Sequence, residues 1–183
     1  IDPQHAAQSV APGSFTGDTV YLCAADGAGN AVSLIQSNYM GFGSGVVVPE
    51  TGIVLQNRGA YFSLDPNATN ALAGNKRTLH TLIPSMALRD GRPAIIFGAM
   101  GGDGQAQTHA QVYTALARFG MNMQAAIELP RWVHGLGAHG PILRLEDRFP
   151  AETVTALQSL GHTTAEATAW DTGMGYAQGI RID

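Results

Sequence analysis

From residue 19 onward the alternation of apolar and polar residues has a strand period, and the first 18 residues carry no such pattern. Thr19 to Ala25 is rich in β-formers, and Asp26-Gly27-Ala28-Gly29-Asn30 is a turn cluster. Ala31 to Ser37 then resumes alternation, so the three segments predict an antiparallel hairpin whose first strand begins at Thr19. A second hairpin is expected where Val46-Val47-Val48 and Ile53-Val54-Leu55 flank Pro49-Glu50-Thr51-Gly52. A third is expected where Leu82 to Leu88 and Pro93 to Phe97 flank Arg89-Asp90-Gly91-Arg92, with Asp-Gly at the tip.

The period changes at about Gln105. Ala110, Val112-Tyr113, Leu116-Ala117 and Phe119 form a stripe that predicts a helix over 105–119, with Gly120 as its C-terminal cap. A shorter helix fits Met123 to Glu128, stopped by Pro130. Ile142 to Leu145 reads as a strand, Ala151 to Leu160 as a helix closed by Gly161, and Gly179 to Ile182 as a last strand. Antiparallel strands first, then helices, then more strand predict an α+β layered fold, not a doubly wound parallel sheet.

Composition narrows the function classes. Charged residues are only 13% of the 183, against a usual quarter, while apolar residues are 45%. So little charge suggests either a partner covering part of the surface or a compact, Gly-rich enzyme domain. The net charge of −4 comes without any basic run, which argues against nucleic acid and membrane-surface partners. No apolar stretch is long enough to span a bilayer. Ile1-Asp2-Pro3-Gln4 does not open a signal peptide, so the cytoplasm is the compartment expected, with the periplasm as the alternative. Cys23 is the only cysteine, and the six histidines lack metal-ligand spacing; His134 and His139 read as loop residues, not ligands. No metal or cofactor is expected. The 23 glycines are about twice the usual share and cluster at 41–45, 98–104, 135–140 and 173–179, as tight turns and close approaches to a ligand require.

Three places could carry chemistry. At Gly17-Asp18-Thr19 an irregular segment meets a strand, and a threonine freed by cleavage before it can use its own α-amine as base. Gly98-Ala99-Met100-Gly101-Gly102-Asp103-Gly104 joins a strand to the best helix, where N–H groups converge on an anion or an oxyanion. It matches neither a P-loop nor a dinucleotide fingerprint. Arg58, in Asn57-Arg58-Gly59-Ala60-Tyr61-Phe62, could grip a carboxylate through two parallel hydrogen bonds. Each alone has a structural reading: a strand start, a tight connection, a surface arginine.

Taken in order, Thr19, Asp26 to Val32, Ser44-Gly45, Gly52-Ile53, Asn57, Asn75-Lys76-Arg77, Pro84, Gly101-Gly102 and Pro130-Arg131 resemble the small-subunit pattern of the γ-glutamyltranspeptidases. The resemblance implies an N-terminal-nucleophile hydrolase fold, an αββα sandwich of two stacked antiparallel sheets between helical layers, of which this chain would be the small-subunit half. It implies a precursor that cuts itself between Asp18 and Thr19, so that 1–18 is a pre-cleavage segment and 19–183 the catalytic domain. The implied partners are the large subunit of the same precursor and a small amide substrate, with a dimer of such heterodimers as the assembly considered. By position, Thr19 matches the nucleophile, Ser37 the hydroxyl residue that orients it, and Gly101 and Gly102 the oxyanion hole.

The substrate positions depart from the γ-glutamyl pattern. Tyr61 stands where an acidic residue binds the substrate ammonium, Arg58 where a Gln or Glu assists it, and Tyr39 where an Asn does. His80 and Thr81 stand where two serines bind the α-carboxylate. A site with Tyr61 and Arg58 suits an acid without an amine, since an unpaired ammonium is costly to desolvate. The pattern is thus nearer the subgroup that includes oxamate amidohydrolase and the acylases. The expected activity is ammonia release from a small carboxylated amide. The competing readings are a γ-glutamyltransferase or glutathione hydrolase, and a non-catalytic member serving as a binding or scaffold subunit.

Overall fold

The computed structural model describes residues 19–135 and 140–182. The lead-in 1–18, including His5 and the cleavage position Asp18, and the loop residue His139 lie outside the described residues. Strands β1 (Thr19–Ala25) and β2 (Ala31–Ser37) form the first expected hairpin, in a register that sets Thr19 opposite Ser37 and Ala25 opposite Ala31. Its turn is closed by the Asp26 carboxylate, which accepts the N–H groups of Ala28 and Asn30, each at 2.9 Å, and the Asn30 side-chain amide at 2.8 Å. Hydrogen bonds to the ionised form hold the Asp26 carboxyl below the usual range.

The third expected hairpin is β3 (Ser85–Arg89) and β4 (Arg92–Ala99), and β8 (Ala177–Arg181) adds to the far side of β4, all antiparallel. The register slips between Ala87 and Leu88, opposite Pro93, which has no N–H to give the ladder. The β1–β2 hairpin stacks on this sheet. Tyr21, 3% exposed, lays its ring on Gly98 so closely that a Cβ there would sit 2.3 Å from it. On the other face lie α1 (Gln105–Ala117) and α2 (Met123–Glu128), whose Val112, Ala115, Leu116 and Ala126 bury against Phe97. The result is a helix layer, a sheet and a second sheet, the α+β layering expected. The described residues cover only one of the two outer faces with helices. Val20, Leu22, Val32 and Leu34, on the outward side of the hairpin, are all exposed.

The remaining strands, β5 (Trp132–His134), β6 (Leu143–Glu146) and β7 (Thr164–Ala167), make a third sheet flanking α1. β6 and β7 are parallel, joined through α3 (Ala151–Ser159), so the sheets are not wholly antiparallel. β5 and β7 were not expected from the pattern, because strands of three and four residues show too little alternation to register. The expected second hairpin forms as a single bridge, Val47 with Val54, flanked by the Val48 N–H to Ile53 carbonyl and Leu55 N–H to Val46 carbonyl hydrogen bonds. Val46, Val47, Ile53 and Leu55 are exposed, so little burial supports a longer strand pair. Helix α1 ends two residues early, leaving Phe119 exposed, because Gly120 turns left-handed at φ 64° and the Met121 N–H caps the Ala115 carbonyl.

Candidate active site

The hairpin register brings the hydroxyls of Thr19 and Ser37 to one end of the stacked sheets, 3.0 Å apart. Ser37 Oγ also accepts the Tyr39 N–H at 3.0 Å and an Arg58 Nη2–H at 2.9 Å. Ser37 Oγ thus gathers the Thr19 hydroxyl, the Tyr39 N–H and the Arg58 guanidinium at one oxygen, which fixes the orientation of the Thr19 hydroxyl.

Tyr39 reaches Ser37 with a left-handed backbone, φ 78°, and the loop it belongs to is pinned by Asn57, whose side chain accepts the Met40 N–H and donates to the Met40 carbonyl. Arg58 follows directly and opens a short 3-10 turn ending at Tyr61. It is 5% exposed. Nη1 reaches Thr81 Oγ1 at 3.4 Å, the guanidinium carbon lies 5.2 Å from the Tyr39 ring centre, and Nε is buried without a partner. No carboxylate among the described residues pairs with Arg58. A buried cation with no anion beside it is costly.

Facing these residues is the turn between β4 and α1. Gly101 at φ 141° and Gly102 at φ 53° adopt backbone that side chains disfavour, and no acceptor among the described residues takes either N–H. A second turn, 172–175, presses on the first: a Cβ on Gly175 would lie 2.0 Å from the Met100 carbonyl oxygen. That turn is held by the Asp171 side chain, which accepts the Gly173 N–H at 2.7 Å, by Thr108, and by buried Arg131, which donates to the Met174 and Gly175 carbonyls. Behind β4, His109 Nε2 accepts the Ala99 N–H at 3.1 Å, which leaves Nδ1–H for Ser85 Oγ at 3.0 Å. Burial lowers its pKa and favours this neutral form.

Thr19, Tyr39, Arg58, Thr81, Gly101 and Gly102 thus line one cleft of about 460 Å³, with Ser37 behind Thr19. Two expected contacts stand elsewhere. His80 is exposed, and its Nδ1 accepts the Leu82 N–H at 3.2 Å. Tyr61 stands behind Tyr39, ring centres 4.7 Å apart, and donates its hydroxyl to Asp103 at 2.6 Å. Burial first, and then that carboxylate, push the phenol's pKa upward. Met40, Met100, Thr172 and Gly173 also line the cleft and were not singled out from sequence. Only the glycine cluster at 173–179 hinted at the last two. A larger apolar cleft, about 680 Å³ between Trp132, Leu145, Phe149 and Leu157, shares no lining residue with this one. Among the described residues no group of three or more His, Cys, Asp or Glu could hold a metal ion, and no helix is long and apolar enough to cross a membrane.

The family model described as Gamma-glutamyltranspeptidase matches residues 1–183. The oxamate amidohydrolase proenzyme of Klebsiella pneumoniae is 47% identical over 171 residues, 92% of this chain and 32% of that protein. The glutathione hydrolase-like YwrD proenzyme of Bacillus subtilis is 46% identical over 168 residues, 91% of this chain and 32% of that protein. Among solved structures, the cephalosporin acylase from Bacillus halodurans superposes with a TM-score of 0.79 at 48% identity, over 89% of this chain and 30% of that one. The chain spans about a third of the length of the curated relatives it matches.

Proposed function

Since the chain belongs to the γ-glutamyltranspeptidase family and has its N-terminal-nucleophile hydrolase fold, we propose that the whole protein is a self-processed amidohydrolase acting on a small amide whose carboxylate lies close to the scissile carbonyl. The observation that carries the reading is Arg58. Its guanidinium is buried without a carboxylate partner, and two hydrogen bonds of 2.9 and 3.0 Å in series join it to Thr19 Oγ1. The cation and the nucleophile can therefore be no further apart than those two lengths end to end. An oxamate-like acid, with its carboxylate directly on the amide carbon, fits that spacing better than a γ-glutamyl group, whose carboxylate stands three carbons further out and beside an ammonium.

In the mechanism, cleavage between Asp18 and Thr19 frees the Thr19 α-amine. The amine takes the Thr19 hydroxyl proton, which is donated to Ser37 Oγ before the reaction, and Thr19 Oγ1 attacks the amide carbon. Charge developing on the carbonyl oxygen meets the free N–H groups of Gly101 and Gly102, and Arg58 holds the carboxylate in two parallel hydrogen bonds. The proton passes from the α-amine to the leaving nitrogen, which departs as ammonia. Water, deprotonated by the same amine, then hydrolyses the ester and restores Thr19. No step calls on a metal or cofactor.

The partner in this reading is the large subunit of the same precursor. It would supply the two-thirds of the protein that this chain lacks relative to its relatives, and cover the exposed Val20, Leu22, Val32 and Leu34. The test uses the full-length precursor, with cutting followed by intact mass and then ammonia release from oxamate compared with γ-glutamyl anilide hydrolysis. Preference for oxamate is expected. A γ-glutamyl preference overturns the substrate reading, and an uncut, inactive protein points to the scaffold alternative.

A further inference from the structure

We propose that Tyr61 and Asp103 form a hydrogen-bonded latch that fixes the Gly101-Gly102 turn against the aromatic wall of the cleft, which makes Asp103 a positioning residue for acyl transfer. Asp103 directly follows the two glycines, and its Oδ1 accepts the Tyr61 hydroxyl at 2.6 Å across 42 residues of sequence. Tyr61 is itself anchored: its carbonyl accepts the Asn70 side-chain amide at 2.7 Å, and its ring rests on Tyr39, 4.7 Å between centres, beneath Arg58. One unbroken path therefore runs from Thr19 through Ser37, Arg58, Tyr39 and Tyr61 to the residue beside Gly102.

The turn needs such a tie. Its two glycines have no side chains with which to hold it, and both sit at positive φ. On the far side it is fixed by the Met100 N–H bonded to the Tyr176 carbonyl at 3.1 Å and by the close approach of Gly175. On the cleft-wall side, the tie is Asp103. A short O–H···O⁻ bond is roughly twice as strong as a neutral one, and the raised pKa keeps Tyr61 a donor over the working range of pH. Asp103 also stands at the start of α1, where negative charge favours the helix dipole. The two roles separate by chemistry: the dipole needs the charge, and the latch needs the acceptor.

The proposal rests on reading Gly101 and Gly102 as the oxyanion turn, and one readout below does not depend on turnover. In the processed full-length protein, amide hydrogen exchange over residues 98–104 and the kinetics of ammonia release from oxamate are measured for Tyr61→Phe, Asp103→Ala, Asp103→Asn and the Tyr61→Phe/Asp103→Ala pair. Tyr61→Phe and Asp103→Ala should each speed exchange in 98–104 and lower kcat about 10-fold, less than the ~10²–10³ lost with a whole oxyanion donor, with KM little changed. The double variant should be no worse than either single, and Asp103→Asn should recover most of both losses. Unchanged exchange in the two single variants overturns the latch, as does a double variant whose loss is the product of the singles. If the wild type does not turn over oxamate, the substrate reading fails on its own and the exchange result still decides the latch.

Discussion

Replacing Arg58 by Gln is the sharpest probe of the site, because the structure gives that guanidinium two separable jobs. It donates to Ser37 Oγ at 2.9 Å, and it is the buried cation that a substrate carboxylate would meet. The first contact is one hydrogen bond worth about 0.5–1.5 kcal/mol net, so its loss alone should cost a neutral amide such as oxamide about 2- to 10-fold in kcat/KM. The second involves an ion in a half-enclosed cleft. Leaving a carboxylate there without its partner costs about 2–4 kcal/mol, or about 30- to 1000-fold for oxamate. The difference between the two substrates is the measurement. Ammonia release by Arg58→Gln is followed over a range of oxamate and oxamide concentrations, with Thr19→Ala as the blank. The oxamate loss should appear in both KM and kcat, since the variant also removes one of the donors that hold Ser37, the acceptor of the Thr19 hydroxyl. Equal losses for oxamate and oxamide would refute the assignment of Arg58 to the carboxylate. Arg58→Lys should fall between, because one ammonium cannot reach both Ser37 and Thr81.

Thr19→Ala should leave the full-length precursor uncut by intact mass and without ammonia release. Ser37→Ala leaves the Arg58 and Tyr39 donors facing an empty position and removes the acceptor that holds the Thr19 hydroxyl, so kcat should fall about 10²-fold with a smaller change in KM; an unchanged kcat would refute an orienting role for Ser37. Gly175→Ala must place a methyl 2.0 Å from the Met100 carbonyl oxygen, in backbone of φ 79° and ψ 162° that costs a side chain about 1–3 kcal/mol. It should lower both Tm and kcat, since the Met100-Gly101 peptide has to shift. For His109, burial lowers the folded pKa, so the unfolded chain binds the extra proton first. The stability it contributes is complete above pH ~6.5 and is lost as the pH falls below that toward the folded pKa, by at most about 1.4 kcal/mol per pH unit. A calorimetric Tm series from pH 7.5 to 5 should therefore fall less steeply in His109→Phe than in the wild type, and parallel slopes would exclude this contribution.

How far the site could be read from sequence follows from what each residue depends on. Strands and helices of six residues or more that bury one side, such as β1, β2, β4 and α1, declare themselves through periodicity, and so do the glycines at 101 and 102, because only glycine tolerates that turn. The 46–55 segment pairs more briefly than its pattern suggests for the converse reason: Val46, Val47, Ile53 and Leu55 stay exposed, and β-propensity with little burial makes one bridge, not two full strands. The outlying contacts depend on tertiary distance. Nothing near Asp103 in the chain predicts that Tyr61, 42 residues earlier, spends its hydroxyl on it, and nothing near Thr172 predicts its place opposite Thr19. His80 lies one residue from Thr81, which lines the cleft, yet is exposed, and its Nδ1 is taken up by the Leu82 N–H. Position-by-position resemblance transfers a residue's place in the chain, and side-chain direction and bonding state have to come from packing. The same reasoning bears on Ser37. Its match to an orienting hydroxyl says only that it stands beside the nucleophile, whereas its position as acceptor of the Thr19 hydroxyl depends on two further donors, Tyr39 N–H and Arg58 Nη2, that arrive from a loop whose course the sequence does not disclose. Arg58 therefore acts on both sides of the reaction: it offers charge to the substrate, and by holding Ser37 it fixes the oxygen to which the Thr19 hydroxyl is bonded.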